Sequence, residues 1–155
     1  MPNLLKTMVV RATKLLHADS GFVYLFDRQR GDLELVLEEG FSTRIGSHLK
    51  LGDGMAGRVA QARQPMIVDD YRIWEHRSAQ YEGSAVSAVV QVPMLSGGDL
   101  IGVLGIQEIG TTERRFNDAD VRVLSLFAGQ AAGAVQSARL LAESQQRTDE
   151  LVALH

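Results

Sequence analysis

Apolar residues recur at helical spacing near the start of the chain, where Leu5, Met8, Val9, Ala12, Leu15 and Leu16 alternate with the charges of Arg11 and Lys14. That period predicts an amphipathic helix over residues 4–16 with one buried face, ending near residues 17–20. The apolar run 22–26, the polar stretch 27–32 and the resumed alternation over 33–37 predict a β-hairpin that closes at Glu38, Glu39 and Gly40. Residues 41–50 are polar and aperiodic. They lead into LGDGMAGRVAQARQP, where residues 55–62 have the pattern of a short helix stopped before Pro65, and residues 66–68 that of a short strand.

Residues 69–83, DDYRIWEHRSAQYEG, set three aromatics among charges, which suits a loop with one helical turn laid over something beneath it. The strongest β runs are 87–95 and 100–109, and the SGGD between them carries the glycines of a tight hairpin turn. Pairing residue 95 with 100 puts Gln91 opposite Leu104 and Gln107 opposite Ala88, so the two amides are expected on opposite faces, one at most toward a pocket. From Asn117, with Asn117 or Asp118 as N-cap, the pattern is helical to about residue 154. The order of elements implies an α+β domain: a central antiparallel sheet with helices gathered on one side.

The long closing helix carries two stripes. Val121, Leu124, Ala128, Ala131 and Val135 suit packing on the sheet, while Phe127, Ala134 and Leu141 recur every seven residues, as a helix-to-helix seam requires. Residues 143–150 are polar nearly all round. The expectation is a domain over residues 1–143, a signalling helix over 144–155 directed toward a downstream output domain, and a homodimer formed through the terminal helices.

Composition narrows the classes. At 155 residues with 45% hydrophobic residues the chain has the size of one domain with a real core. It contains no run of about 18 apolar residues and no secretory pattern at its start, so no membrane partner and a cytoplasmic location are expected. A net charge of −3 with scattered Lys and Arg argues against nucleic acid as partner. The absence of cysteine removes disulfides, zinc-thiolate sites, thiol nucleophiles and sulfur-tethered cofactors.

Gly52, Gly54 and Gly57 match G-x-G-x-x-G, but Arg44, Ser47, His48 and Lys50 precede them where a dinucleotide site needs a buried strand, and the kinase residues are missing. Glycines that permit a turn and close packing before a helix explain the motif better. Histidines 17, 48, 76 and 155 have no metal-ligand spacing, and the adjacent Asp69 and Asp70 point opposite ways, so they cap or solvate a strand end. With no catalytic constellation, neither an enzyme nor a metal or cofactor is expected. The candidate ligand site is a pocket roofed by Tyr71, Trp74, His76 and Tyr81 and lined by Met55 and one of Gln91 or Gln107.

Four segments together resemble the GAF family: HADSGFVYLFD, LGDGMAGRVAQARQPMIVDD, AVVQVPMLSGGDLIGVLGIQ and FNDADVRVLSLFAGQAAGAVQSARLLAE, in that order over residues 15–143. The resemblance, nearest to modules of bacterial sensor histidine kinases, implies a GAF/PAS-like sheet of about six strands. It places the first and last helices on one face and a short helix and loops over a pocket on the other. The chain departs from the cyclic-nucleotide members: Phe116 and Asp120 match their motif, but Val121 stands for the Glu and no Asn-Lys pair precedes. Without cysteine, covalent bilin attachment and methionine sulfoxide reduction are excluded. The function implied is a small-molecule-sensing regulatory module that relays a signal through its terminal helices to an output such as a histidine kinase. The alternatives are a ligand-free dimerisation and relay module, and a haem-based gas or redox sensor using His48 or His76.

Overall fold

Residues 2–40, 44–78 and 85–153, apart from the side chains of Pro2 and Asn3, are described in the computed structural model. In chain order they form α1 (Pro2–Leu15), β1 (Ser20–Asp27), β2 (Asp32–Glu39), β3 (His48–Lys50), α2 (Gly54–Ala62), β4 (Met66–Val68), a 3-10 turn (Tyr71–Ile73), β5 (Val86–Ser96), β6 (Asp99–Ile109) and α3 (Asp118–Ala153). The strands make one antiparallel sheet in the order β3-β2-β1-β6-β5-β4, so the class and the sheet of six strands stand as expected. The strand β3 lies in the stretch taken as aperiodic. It has three residues, of which only Leu49 is buried, too few to show a period of two.

Alternation along β1, β5 and β6 gives the sheet two apolar faces, and helices pack on each. On one face Val23, Val90, Leu104 and Ile106 pack with Val9 and Ala12 of α1 and Leu124 and Ala128 of α3. On the other, Tyr24, Leu35, Val89 and Val103 pack with Met55 and Val59 of α2 and with Tyr71. Burying about 25 cal/mol per Å2 of apolar surface on both sides is what makes a three-layer arrangement stable.

The register of β5 on β6 differs from the one expected. Leu95 pairs with Leu100, but Met94 pairs with Gly102, leaving Ile101 as an extra residue on β6. Beyond that bulge Gln91 lies opposite Gly105 and Val89 opposite Gln107, which puts both glutamines on the α2 face and corrects the assignment to opposite faces. A one-residue shift moves side chains across a sheet because their period is two.

The closing helix starts with a reciprocal cap: Asp120 N donates to Asn117 Oδ1 (3.1 Å) and Asn117 N donates to Asp120 Oδ2 (2.9 Å). Its buried residues are Leu124, Ala128, Ala131, Ala132 and Val135, and from residue 140 onward every described position is exposed. Phe127 packs at the edge of this same core, whereas Leu126, Leu140 and Leu141 are open to solvent. Arg114 ties the helices to the sheet: its guanidinium donates to the carbonyls of Leu16 and His17 at the end of α1, to Glu108 Oε1 of β6 (2.9 Å), and lies 4.5 Å over the ring of Phe116.

The glycine motif is structural. Gly52 and Gly54 have positive φ, and a Cβ on Gly57 would come within 2.4 Å of the Lys50 carbonyl oxygen, so the turn closes directly against α2. Gly57→Ala should therefore destabilise the domain by about 1–3 kcal/mol in urea unfolding. Gly129→Ala, at an exposed helical site where a Cβ would meet nothing within 4 Å, should stabilise it by about 0.5–1 kcal/mol.

Candidate functional site

On the face away from α1 and α3, the alternating strands present a mostly apolar floor with polar groups concentrated toward one end. One row across the sheet reads Met66, Gln91, Gly105, Phe22 and Glu38; the next reads Val68, Val89, Gln107 and Ser20. Antiparallel partners share a face, so Gln91, Gln107, Ser20 and Glu38 all belong to this side. Gln107 Nε2 donates to Ser20 Oγ (3.4 Å), and Ser20 is fully buried. The side chain of Gln91 is different. The residue is 5% exposed, and its Oε1 is buried with no hydrogen-bond partner.

The floor is shaped by one aromatic. A Cβ at Gly105 would fall 2.2 Å from Phe22 Cζ, so the tip of the Phe22 ring occupies the space above that glycine. Phe22 meets Tyr24 edge to face at 6.0 Å.

Above the floor, α2 and the segment after β4 form the roof. Met55 is 2% and Tyr71 6% exposed, both in the core of this face, and Trp74 is half-buried against it. The Asp70 side chain caps the 3-10 turn through Arg72 N (3.1 Å) and pairs with the Arg72 guanidinium (2.8 Å), which fixes the direction in which Tyr71 and Trp74 leave the strand. Tyr71, Trp74 and His76 then meet in series, the first pair tilted by 41° and the second edge to face at 77°, each with ring centroids 5.6 Å apart. Arg58 of α2 holds this series down. Its guanidinium lies 6.0 Å from the Trp74 ring, its Nη2 donates to His76 Nδ1 (3.0 Å), and its Nε is buried without a partner. Ser78, also buried, abuts Gly54 at the start of α2, where the missing side chain makes room for it.

Of the residues proposed from sequence, Met55, Tyr71 and Trp74 are thus brought together over the floor, with Gln91 and Gln107 both beneath. His76 is at the outer end of the series, its side chain 45% exposed and its Nε2 3.3 Å from Glu75. Tyr81 lies outside the described residues. His48 is at the sheet edge on β3, with Nδ1 3.2 Å from Asp32 and Nε2 3.8 Å from Glu34. Sequence reasoning passed over Ser20, Phe22, Glu38 and Arg58. Gly105, the second glycine of the run IGVLGIQ, was the available signal, because a strand glycine marks a close approach.

Electrostatics distinguish Glu38. Burial raises its carboxyl to about 7, against the lowering effects of a hydrogen bond from the Arg44 backbone N–H and of the Arg44 charge. The folded state binds this proton more tightly than the unfolded chain, so its contribution favours folding at low pH and is lost as pH rises between the unfolded value and about 7. Glu38→Gln should therefore unfold at higher urea than the parent at pH 8 and at a similar concentration at pH 5, a difference that paired denaturation curves will show.

The family model for the GAF domain matches residues 1–136. A Nif-specific regulatory protein of Herbaspirillum seropedicae is 27% identical over 127 residues, covering 77% of this chain and 23% of the regulator, so the chain spans about a quarter of that relative's length. Among solved structures, the GAF domain of a phosphoenolpyruvate-protein phosphotransferase from Coxiella burnetii superposes with a TM-score of 0.79 at 24% identity, covering 90% of this chain and 84% of that one. A free methionine-R-sulfoxide reductase from Neisseria meningitidis, solved with its substrate, superposes with a TM-score of 0.74 at 19% identity, covering 88% and 78%. At these identities the superpositions establish the fold. Among the described residues, no helix is long and apolar enough to cross a membrane.

Proposed function

The chain belongs to the GAF domain family, and from that premise we propose that it senses a small polar molecule on the α2 face of its sheet and relays occupancy through α3. The observation that carries this reading is the unpaired Gln91 Oε1. A buried acceptor without a partner costs about 1–3 kcal/mol, and a ligand that donates a hydrogen bond to it relieves that cost. Arg58 Nε, buried and unpartnered beneath Trp74, supplies a second unmet group, a donor. The roof residues Tyr71 and Trp74 sit on a short 3-10 turn beside Ser78 and are suited to open and close over the floor.

Relay follows from connectivity. Gln107 faces the site, its neighbour Glu108 faces the helices, and Glu108 holds Arg114, which caps α1, lies over the Phe116 ring and stands in the segment that leads into α3. A shift of Gln107 and Ser20 on ligand entry is transmitted by this clasp to both helices. The exposed run of α3 beyond residue 140 supports a regulatory domain over residues 1–143 and a signalling helix over 144–155. That helix would reach a partner copy and an output domain, such as a histidine kinase, in a cytoplasmic protein. The module itself carries out no reaction in this reading, because the described residues of its site offer hydrogen bonds but no nucleophile paired with a base. The ligand-free relay is favoured by one observation, the Phe22 ring lying over Gly105 in the middle of the floor.

Native mass spectrometry of the purified domain and titration of a metabolite panel, followed by the fluorescence of the single tryptophan, Trp74, test the proposal. Sensing predicts a compound that binds the parent and changes its emission, and a Gln91→Leu variant that unfolds at a higher temperature when empty yet loses at least about tenfold in affinity. Undiminished affinity in Gln91→Leu would move the site elsewhere. A domain that purifies empty and binds nothing across the panel would leave the ligand-free relay.

A further inference from the structure

The helix face of the sheet is only partly covered. The contacts of α1 fall at one end of β1 and β2: Val9 and Thr13 press on Gly21, and Lys6 reaches Glu39, the partner of Gly21 across the strands. At the other end, between the β1–β2 hairpin and the α3 turns from Gln136 to Glu143, a groove of about 600 Å3 remains open. Its floor is apolar, formed by Leu25, Val36, Ile101 and Leu140. Its walls carry four carboxylates, Asp27, Glu34, Asp99 and Glu143, against two guanidiniums, Arg28 and Arg139. Both cations are engaged, Arg28 with Asp99 (3.3 Å) and Arg139 with the Phe26 carbonyl (3.4 Å). Gln136 Oε1 is buried there with no hydrogen-bond partner. Of the carboxylates, Asp99 pairs with Arg28, Asp27 accepts from the backbone N–H groups of Gln29 and Arg30, and Glu34 lies 3.8 Å from His48 Nε2. Glu143 and the Gln136 amide oxygen are the acceptors left over an apolar base, and what fits them is an amphipathic segment with a cation among its apolar residues.

Such a segment exists on this chain. The helix α1 contains Lys6, Arg11 and Lys14 and no acidic residue. Its outward face carries two exposed leucines, Leu4 (46%) and Leu15 (59%). Leu4, Arg11 and Leu15 fall within about 40° of one another around the helix, so one stripe presents a cation flanked by two apolar groups. We propose that α1 of a second copy docks in this groove, with Arg11 facing Glu143 and the Gln136 amide oxygen and with Leu4 and Leu15 on the apolar floor. A twofold axis makes the exchange reciprocal, each protomer giving α1 and receiving its partner's. The inference rests on the dimer reading above and specifies its surface, which would make the groove at the root of the signalling helix complete only in the assembly.

Charge reversal on the whole chain tests the placement, since Arg11 and Glu143 are both exposed. Sedimentation of the parent should show a dimer. Arg11→Glu and Glu143→Arg should each weaken it by about tenfold or more, because like charges then meet twice per dimer, and the double variant should restore it. A parent that stays monomeric at high concentration would overturn the dimer reading and the docking together. A dimer that withstands both reversals but is broken by Leu126→Asp on the exposed side of α3 would keep the dimer and overturn the docking. Singles that dissociate without rescue in the double would overturn the pairing of Arg11 with Glu143.

Discussion

The pairing of β5 with β6 is the constraint on which the rest of the domain depends. These two interior strands carry residues of both faces, and α3 lies on one side of them and α2 on the other. The single extra residue, Ile101, sets which side chains go where. It is fully buried on the helix face, and beyond it the register puts Gln91 and Gln107 under α2 while Ala88, Val90 and Val92 go under α3. With the unbulged register one amide would enter the helix core, where Leu124 and Ala128 offer it no partner. The bulge thus keeps both amides out of the helix layer and gathers them in the other.

That division gives the two layers different tasks. The helix layer is closed by apolar packing and by the Arg114 clasp, which binds the carbonyls of Leu16 and His17 just beyond α1 and the carboxylate of Glu108 through one guanidinium. Burial and the adjacent Asp19 raise the Glu108 carboxyl, and Arg114 opposes that shift, so the clasp contains its own electrostatic tension. The α2 layer is packed by Phe22, Met55 and Tyr71 yet retains unmet hydrogen-bonding capacity at Gln91 and Arg58. A packed floor with unsatisfied polar groups is the feature on which the sensing proposal rests.

Much of the fold was legible in particular residues. The period of Leu5 to Leu16, the Asn117 cap, the SGGD turn and the stop before Pro65 each act within a few neighbours, so the elements they predict appear within one or two residues of the expected bounds. The short strand β3 escaped because its place is conferred by the edge of β2, to which it pairs, and by Leu49 alone. The roof of the candidate site was legible as aromatics in a polar stretch. Its floor was not, since Phe22 reads as an ordinary strand residue and Arg58 as an ordinary helix cation.

The chain by itself determined its class, its order of elements, the absence of thiol chemistry and the structural role of its glycine motif, because each follows from local sterics, periodicity or composition. Only the tertiary structure decided the face of each glutamine, the ring of Phe22 on Gly105, the elevated carboxyl of Glu38 and the open groove beside α3. These depend on register and on which surfaces the helices leave bare, and both arise from contacts between residues far apart in sequence. A shift of one position, invisible to a local pattern, exchanges the two sides of a strand.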